Sequence, residues 1–515
     1  MKYPIGIQNF EGLRKDGYIY VDKTKLVHQL IDTGKYYFLS RPRRFGKSLL
    51  LSTIRAYFEG KKELFKGLAI EELEKEWKSF PILYLDLNAD KFETAASLED
   101  YLNRTLKEWE AAYGERDYER TPAMRFMGVI QRAAEKEGKR VVILVDEYDK
   151  PLLQNIDRPE VQDEIRKTLK AFYGALKTMD EFIQFAFLTG VTKFGKVSVF
   201  SDLNHLTDIS MLPQYVDICG VSGSELHKYF DEGVAELAVA QGITKEACYE
   251  RLRYNYDGYH FYPRTEGIYN PFSLLHTLNF KVFKDYWFET GTPTMLVRQL
   301  QKTEYNLEDI TREEITTDIL NSIDVMNENP LPLIYQSGYL TIKDYDDEFG
   351  VYTLGFPNRE VEEGFINFLV PYYVPRPKTA SVFSVSNFVK EIRTGQPEAF
   401  AKRLQALFAD GNYQVVGDRE IYFQNTLYVF FKLLGFYVEV ERHTTDGRLD
   451  ILMQTPQYVY IIELKVNSTA AEALKQIEEK RYALPFAADK RQIFKIGINF
   501  NSETRRIDDW KIASK

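Results

Sequence analysis

Residues Tyr36–Gly60, YYFLSRPRRFGKSLLLSTIRAYFEG, change character twice. YYFLS is a short apolar run of strand type, Arg41-Pro42 interrupts it, and SLLLSTIRAYFEG resumes with the pattern of a helix. A strand feeding a loop that opens a helix leaves backbone N–H groups at the helix N-terminus, where anions bind. Gly46-Lys47-Ser48 stand at that junction and match the end of a Walker A loop. In that reading Lys47 neutralises the β/γ-phosphates of a nucleotide and the Ser48 hydroxyl coordinates Mg²⁺.

The usual pattern, G-x-x-x-x-G-K-[ST], starts on a glycine, and here that position holds Arg41. Because Arg41 precedes Pro42 it is biased to an extended backbone, so the loop enters by a different path. GKS alone also suits an ordinary basic loop at a helix start. A second segment, Val141–Glu147 (VVILVDE), decides between the two: an apolar strand ends in adjacent carboxylates, the form of a Walker B motif. Asp146 then holds magnesium and Glu147 orients or deprotonates the attacking water. At the end of a further apolar run, Phe182–Leu188, the residues Thr189, Thr192 and Lys193 are candidates to sense the γ-phosphate, although a plain turn uses the same residue types. Arg41, Arg43 and Arg44 are cations able to touch phosphates or a neighbouring subunit's nucleotide.

With Pro81–Leu87 (PILYLDL) added, the runs around residues 36–40, 141–145 and 182–188 lack polar alternation, as strands buried on both faces do. Helical stretches lie between them, which predicts a parallel sheet covered on both sides. The chain has 515 residues, 44% hydrophobic and 28% charged, with 35 Tyr and 35 Phe, enough for two or three domains with aromatic-rich cores. A net charge of −9 argues against a protein that coats nucleic acid with its whole surface, while leaving room for a local basic channel. Cys219 and Cys248 are the only cysteines and lack metal-type spacing, which points to a reducing interior and away from zinc. No run reaches the roughly 18 apolar residues of a membrane span and the N-terminus lacks a signal-type core, so a cytoplasmic location with no membrane partner is expected.

Beyond about Gly220 helical, aromatic-rich segments lead into GYLTIKDYDDEFGVYTLGFPN, two strand-like runs around an acidic turn that suggest a winged-helix-like lid. The aromatics of YNYDGYHFYPR either fill a core or stack bases, and irregular spacing favours the core. Closely spaced prolines in PYYVPRPKT, Pro371–Thr379, suggest a boundary before the last domain.

In that last segment a helix beginning near Glu420 is followed by Tyr437–Arg442 (YVEVER), Gly447–Met453 (GRLDILM) and Tyr458–Val466 (YVYIIELKV). Strand alternation puts Glu463 and Lys465 on one face, and an antiparallel neighbour brings Asp450 beside them. Two hard carboxylates suit one or two Mg²⁺ or Mn²⁺ ions, and a lysine suits activation of water or the charge of a phosphorane, so the cluster fits phosphodiester hydrolysis. An exposed hairpin with a surface ion pair would read the same way locally. A helix, AAEALKQIEEKRYAL, and a strand, FKIGINF, follow, giving an α-β-β-β-α-β order. Gln476 on that helix is a possible supporting residue; Glu420 could add a third acid, although helix starts carry acids for dipole reasons alone.

These residues resemble the bacterial AAA-ATPase-like proteins that carry a C-terminal PD-(D/E)XK nuclease-superfamily domain. The matching stretches are YVDKT (20–24), RPRRFGKS, LVDEYDKPL, FLTGVTKFGKVSVFSDLNHLTDIS, YDGYHF, YNPFSLL, TGTP, GYLT, FPNREV, GRLD and IIELK, spread over nearly the whole chain. The resemblance implies an α/β fold in three parts: a P-loop NTPase parallel sheet (1–218), a helical lid with a winged-helix-like hairpin (219–376) and a nuclease-like domain (377–515). It implies nucleotide binding at Gly46, Lys47, Ser48, Asp146 and the catalytic candidate Glu147, and a nuclease centre at Asp450, Glu463 and Lys465; Arg44 stands beside them as a further nucleotide-binding candidate. It also makes RPRRFGKS the family's own form of the loop. Relatives of the nuclease superfamily often carry Q-x-x-x-Y on the following helix, whereas here Lys480 stands four residues after Gln476 and Tyr482 two later, which weakens the role of Gln476.

The resulting expectation is an ATP-controlled, Mg²⁺-dependent nuclease acting on DNA rather than RNA, able to form a homo-oligomer, with a defence or mobile-element setting by analogy. The alternative is an ATP-driven switch whose nuclease-like domain holds nucleic acid or a protein without cutting.

Overall fold

The computed structural model describes residues 1–193, 199–200, 205–288, 294–321, 329–373, 385–409, 419–445, 448–504 and 506–514. They form two compact units, Met1–Leu296 with Thr311–Glu362, and Val297–Ile310 with Glu363–Lys515.

The first unit is built on strands β1 (Tyr36–Ser40), β2 (Ile82–Asp86), β3 (Val141–Asp146), β4 (Ile183–Gly190) and β5 (Thr207–Asp208). They form one parallel sheet in the order β2-β3-β4-β1-β5. Every residue of β1 and β3 is buried, which explains the unbroken apolar runs: both faces are covered. On one face Ile143, Val145, Ala186 and Leu188 meet Leu102, Phe126, Leu169 and Phe172 of three long helices, with the Phe126 and Phe172 rings stacked 4.4 Å apart. On the other, Phe58 of the helix Lys47–Phe58 packs on Phe185. Each such large apolar side chain contributes about 1.5–3 kcal/mol when fully buried.

The same unit contains the helical region expected after residue 220. Its first helix, Gly223–Gln241, opens with a capping box in which Ser222 and Glu225 satisfy each other's backbone N–H groups. Glu225 also accepts both contacts of the buried Lys23 ammonium at 2.6 Å, so Lys23 of the YVDKT stretch fastens the N-terminal segment to this helix. After the short pair β6 (Val221–Ser222) and β7 (Ile268–Tyr269) comes an antiparallel sheet of β8 (Glu314–Thr316), β9 (Thr341–Asp346) and β10 (Val351–Gly355), ordered β8-β10-β9. The hairpin read from the sequence is therefore present, with a third strand on its far side.

YDGYHF, GYLT and FPNREV converge beside this hairpin. Asn358 Nδ2 donates to the Asp257 carbonyl at 2.9 Å and the His260 N–H to Thr341 Oγ1 at 2.6 Å. Between them Gly258 has φ +92°, and an added Cβ would lie 2.2 Å from the Pro357 carbonyl oxygen. Gly258→Ala is expected to cost about 2–4 kcal/mol, combining a forbidden left-handed turn with a backbone clash; a shift in the urea midpoint at unchanged slope measures it. Tyr256 and Tyr259 of this stretch are fully buried, so they fill a core.

The second unit is a mixed sheet of β11 (Glu439–Thr445), β12 (Arg448–Gln454), β13 (Tyr458–Val466), β14 (Gln492–Asn501) and β15 (Arg506–Ser514), in sequential order. β13 and β14 run parallel and the other neighbours antiparallel. The helix Ala470–Glu479 makes the crossover between β13 and β14, its Ile477 packed on Val459, Ile461 and Ile493. β15 has no counterpart in the sequence reading, since RIDDWKIAS is polar and mostly exposed, as an edge strand is. Helix Arg359–Tyr373 runs through Pro371, and residues 374–379 of the proline-rich stretch lie outside the described residues.

Candidate functional site

In the first unit Gly46 takes φ +94° and caps the helix Lys47–Phe58, so the Gly46–Ser48 backbone turns at the helix N-terminus with its amides toward the loop. The Lys47 ammonium is buried, donating to the Arg41 and Pro42 carbonyls at 3.0 and 3.3 Å and standing 3.2 Å from Glu147 Oε1. Glu147 follows β3 with φ +53°, a conformation that costs a non-glycine residue about 1–3 kcal/mol. Asp146 lies one residue earlier, almost fully buried; its carboxylate accepts the Thr189 hydroxyl at 2.6 Å. Burial outweighs the pull of the neighbouring Ser48 and Thr189 hydroxyls and raises its pKa above the ordinary aspartate range.

This cluster stands at a cavity of about 630 Å³, within the range of small-molecule sites. Arg43, Arg44, Lys47, Ser48 and Glu147 line its polar side; Ile5, Ile7, Phe272, Leu275 and Trp287 line its apolar side. The residues fit a nucleoside triphosphate with its metal: a helix N-terminus, a lysine, a serine hydroxyl and a nearby carboxylate offer phosphate and hard-cation donors together, beside an apolar wall for a base.

The other sequence candidates fall in defined places. Arg44 is exposed, has φ +68° and stacks over Phe272 at 5.1 Å. Thr189 is bonded to Asp146, whereas the Thr192 hydroxyl donates to Asp149. Lys193 is buried and reaches Asn321 Oδ1 at 2.6 Å and Asp208 at 3.1 Å. Part of the stretch after it, residues 194–198 and 201–204, lies outside the described residues.

Arg41 is fully buried. Its guanidinium donates to the carbonyls of Ser40 (3.0 Å), Ser210 (2.8 Å) and Tyr215 (3.0 Å) and stacks on Phe261 at 3.9 Å. Burial pulls its pKa down to about 10. The residue in place of the first glycine therefore ties the loop to the segment after β5. Arg41→Ala is expected to destabilise the chain by about 3 kcal/mol or more, because several charge-assisted hydrogen bonds and a cation–π contact are lost and buried carbonyls are left unpaired. Denaturant unfolding tests this.

In the second unit the antiparallel register sets Asp450 directly opposite Glu463, and Lys465 follows two residues on along β13. The Glu463 carboxyl group is fully buried, and Lys465 is half-buried. The side chains of Asp450 and Glu420 lie outside the described residues. Glu463 shares its strand face with Val459 and Ile461, the residues that Ile477 covers, so the helix Ala470–Glu479 lies over the Glu463 side. That helix buries Ala470, Ala473, Gln476 and Ile477, which places Gln476 on its sheet-facing stripe. Opposite Glu463 on β14 is Gly497, where a Cβ would stand 2.3 Å from the Ala470 carbonyl oxygen, so the helix start comes down almost onto the strand there. The register thus sets Asp450 and Glu463 at one rung, with Lys465 two residues along β13.

Sequence reasoning missed Asp149, Gln336 and the apolar cavity wall. LVDEYDKPL contains Asp149, but only the fold shows that it turns inward; Phe272 stood in YNPFSLL without a role.

Together, the parallel sheet with its glycine-lysine-serine turn and strand-end carboxylates, and the mixed sheet with its Asp450–Glu463 rung, define a P-loop-type NTPase unit and a nuclease-superfamily unit. A family model described as "Predicted AAA-ATPase" matches residues 4–200, and that of the PD-(D/E)XK nuclease superfamily matches residues 418–510. A protein of Azotobacter chroococcum mcd 1, described as "Uncharacterized protein in vnfD 5'region", is 35% identical over 525 residues, covering 100% of this chain and 99% of its own length. The chain belongs to this family of AAA-ATPase-like proteins with a C-terminal PD-(D/E)XK nuclease-superfamily domain. Among the described residues no helix is long and apolar enough to cross a membrane.

Proposed function

We propose that the chain hydrolyses ATP at the cavity of the first unit and cuts DNA at the Asp450–Glu463 rung of the second, with nucleotide state controlling cutting. The observation that carries the first part is the Lys47–Glu147 contact at 3.2 Å at the start of the helix that Gly46 caps, beside Ser48 and the buried Asp146. An arriving polyphosphate takes the Lys47 ammonium from Glu147, and Glu147, relieved of that cation, accepts the proton of the attacking water. Ser48 and Asp146 would hold Mg²⁺. At the second centre Asp450 and Glu463 would hold Mg²⁺ or Mn²⁺, and Lys465 would stabilise charge that develops on the phosphorus oxygens. Bound magnesium supplies charge neutralisation and an activated water at either centre.

The hairpin is a poor surface for DNA: its tip carries Asp344, Asp346, Asp347 and Glu348, which repel phosphates, while Asp347 pairs with Arg264 at 2.8 Å.

The test is cleavage of plasmid, linear duplex, single-stranded DNA and RNA by the full chain with Mg²⁺ or Mn²⁺, with and without ATP, beside Lys47→Ala and Asp450→Ala. Cutting of DNA that responds to ATP and disappears in Asp450→Ala is expected. ATP hydrolysis without cutting under any condition would replace the nuclease by an ATP-driven switch.

A further inference from the structure

Asp149 is wholly buried, two residues beyond Glu147, and the reaction outlined above does not use it. Its carboxylate accepts the Val191 N–H at 3.2 Å, the Thr192 N–H at 2.6 Å and the Thr192 hydroxyl. The adjacent Tyr148 grips the same turn twice, its N–H donating to the Thr189 carbonyl at 2.9 Å and its hydroxyl to the Thr192 carbonyl at 3.1 Å. The packing is tight enough that a Cβ on Gly190 would lie 2.6 Å from the Tyr148 ring and 2.7 Å from Asp149 Oδ1. A buried carboxylate is costly, and burial with the nearby Glu147 charge pushes its pKa up to about 6, so the hydrogen bonds it makes offset only part of the cost.

The next residue of the turn continues the connection. The Lys193 N–H donates to Gln336 Oε1 at 2.6 Å, and Gln336 Nε2 to the Leu320 carbonyl at 2.7 Å, both groups buried. Val191 lines the 630 Å³ cavity from the turn, and Ser337 and Tyr339, directly after Gln336, line it from another element.

We propose that Asp149 and Gln336 are positioning residues for nucleotide hydrolysis: Asp149 holds the turn Val191–Lys193 against the strand end that carries Glu147, and Gln336 fastens that turn to the cavity wall at Ser337 and Tyr339. The inference rests on the nucleotide reading of this cavity. It separates binding, which the Gly46–Ser48 turn provides, from the alignment of water and γ-phosphate, which the clamped turn provides.

The experiment measures binding of a fluorescent ATP analogue and steady-state Mg-ATP hydrolysis by the full chain, for the unaltered protein, Asp149→Asn, Thr192→Val, Thr192→Ser and Gln336→Leu. A displacement of about 1 Å in an aligned site costs on the order of 100-fold in rate, so Asp149→Asn and Thr192→Val are expected to lose about 10- to 100-fold in kcat while KM and analogue affinity stay within about twofold. Thr192→Ser, which returns a hydroxyl, recovers most of the lost rate, and Gln336→Leu shows the same split between kcat and KM. Should Asp149→Asn fail to fold, Thr192→Val and Gln336→Leu decide alone. Unchanged kcat in those variants, or losses of affinity equal to the losses of rate, overturn the proposal. An unaltered chain that neither binds the analogue nor hydrolyses ATP overturns the nucleotide reading itself, a result distinguishable from the first because it needs no variant.

Discussion

Lys47→Ala is expected to lose hydrolysis of Mg-ATP by about 100-fold or more, the scale of removing one preorganised charge-stabilising donor. The argument rests on how this lysine is held. Its ammonium is buried on the carbonyls of Arg41 and Pro42, and so it is aimed at the loop interior before any nucleotide arrives. Alanine removes the cation and leaves those carbonyls, and Glu147 at 3.2 Å, without their partner, so nucleotide affinity falls with the rate. Glu147→Gln should behave oppositely in one respect. It removes the competitor for Lys47, so analogue binding is retained or tightened while hydrolysis is lost. Fluorescence anisotropy with the analogue and phosphate release measured on the same preparations separate the two. A Lys47→Ala chain that hydrolyses ATP at the unaltered rate would sink the assignment of this cavity.

The sheet cores were legible because their physics is local. Unbroken apolar runs at 36–40, 141–145 and 182–188 became β1, β3 and β4, since a strand covered on both faces has no polar positions to alternate. The Asp450–Glu463 rung was legible as well: alternation along IIELK and an antiparallel neighbour fix that register once the turn between the strands is short. Arg41 was not. From the sequence it is a cation in a phosphate loop, and only the path of the chain after β5 brings the Ser210 and Tyr215 carbonyls around it. Asp149 and Gln336 were hidden for the same reason: they lie far apart in sequence, joined through the turn at 191–193, and no periodicity encodes such a contact. Both remained outside the motif vocabulary because their partners are largely backbone groups, which leave no trace in residue type.

For the second unit the largest expected effect is that of Glu463→Gln, about three orders of magnitude in metal-dependent cleavage, equal to several kcal/mol of transition-state charge stabilisation. The substitution nearly preserves shape in a fully buried position on a central strand, so loss of activity is separable from loss of fold. A divalent cation that binds only the folded rung stabilises the unaltered chain by mass action, so Mn²⁺ should raise its transition and leave that of Glu463→Gln nearly unmoved. Calorimetric melting of both chains in chelator and in Mn²⁺, without nucleotide, measures this. An Mn²⁺-dependent shift of the same size in Glu463→Gln and in the unaltered chain would show that the cation is held elsewhere, and the rung would then be a structural pairing of strands with no catalytic role.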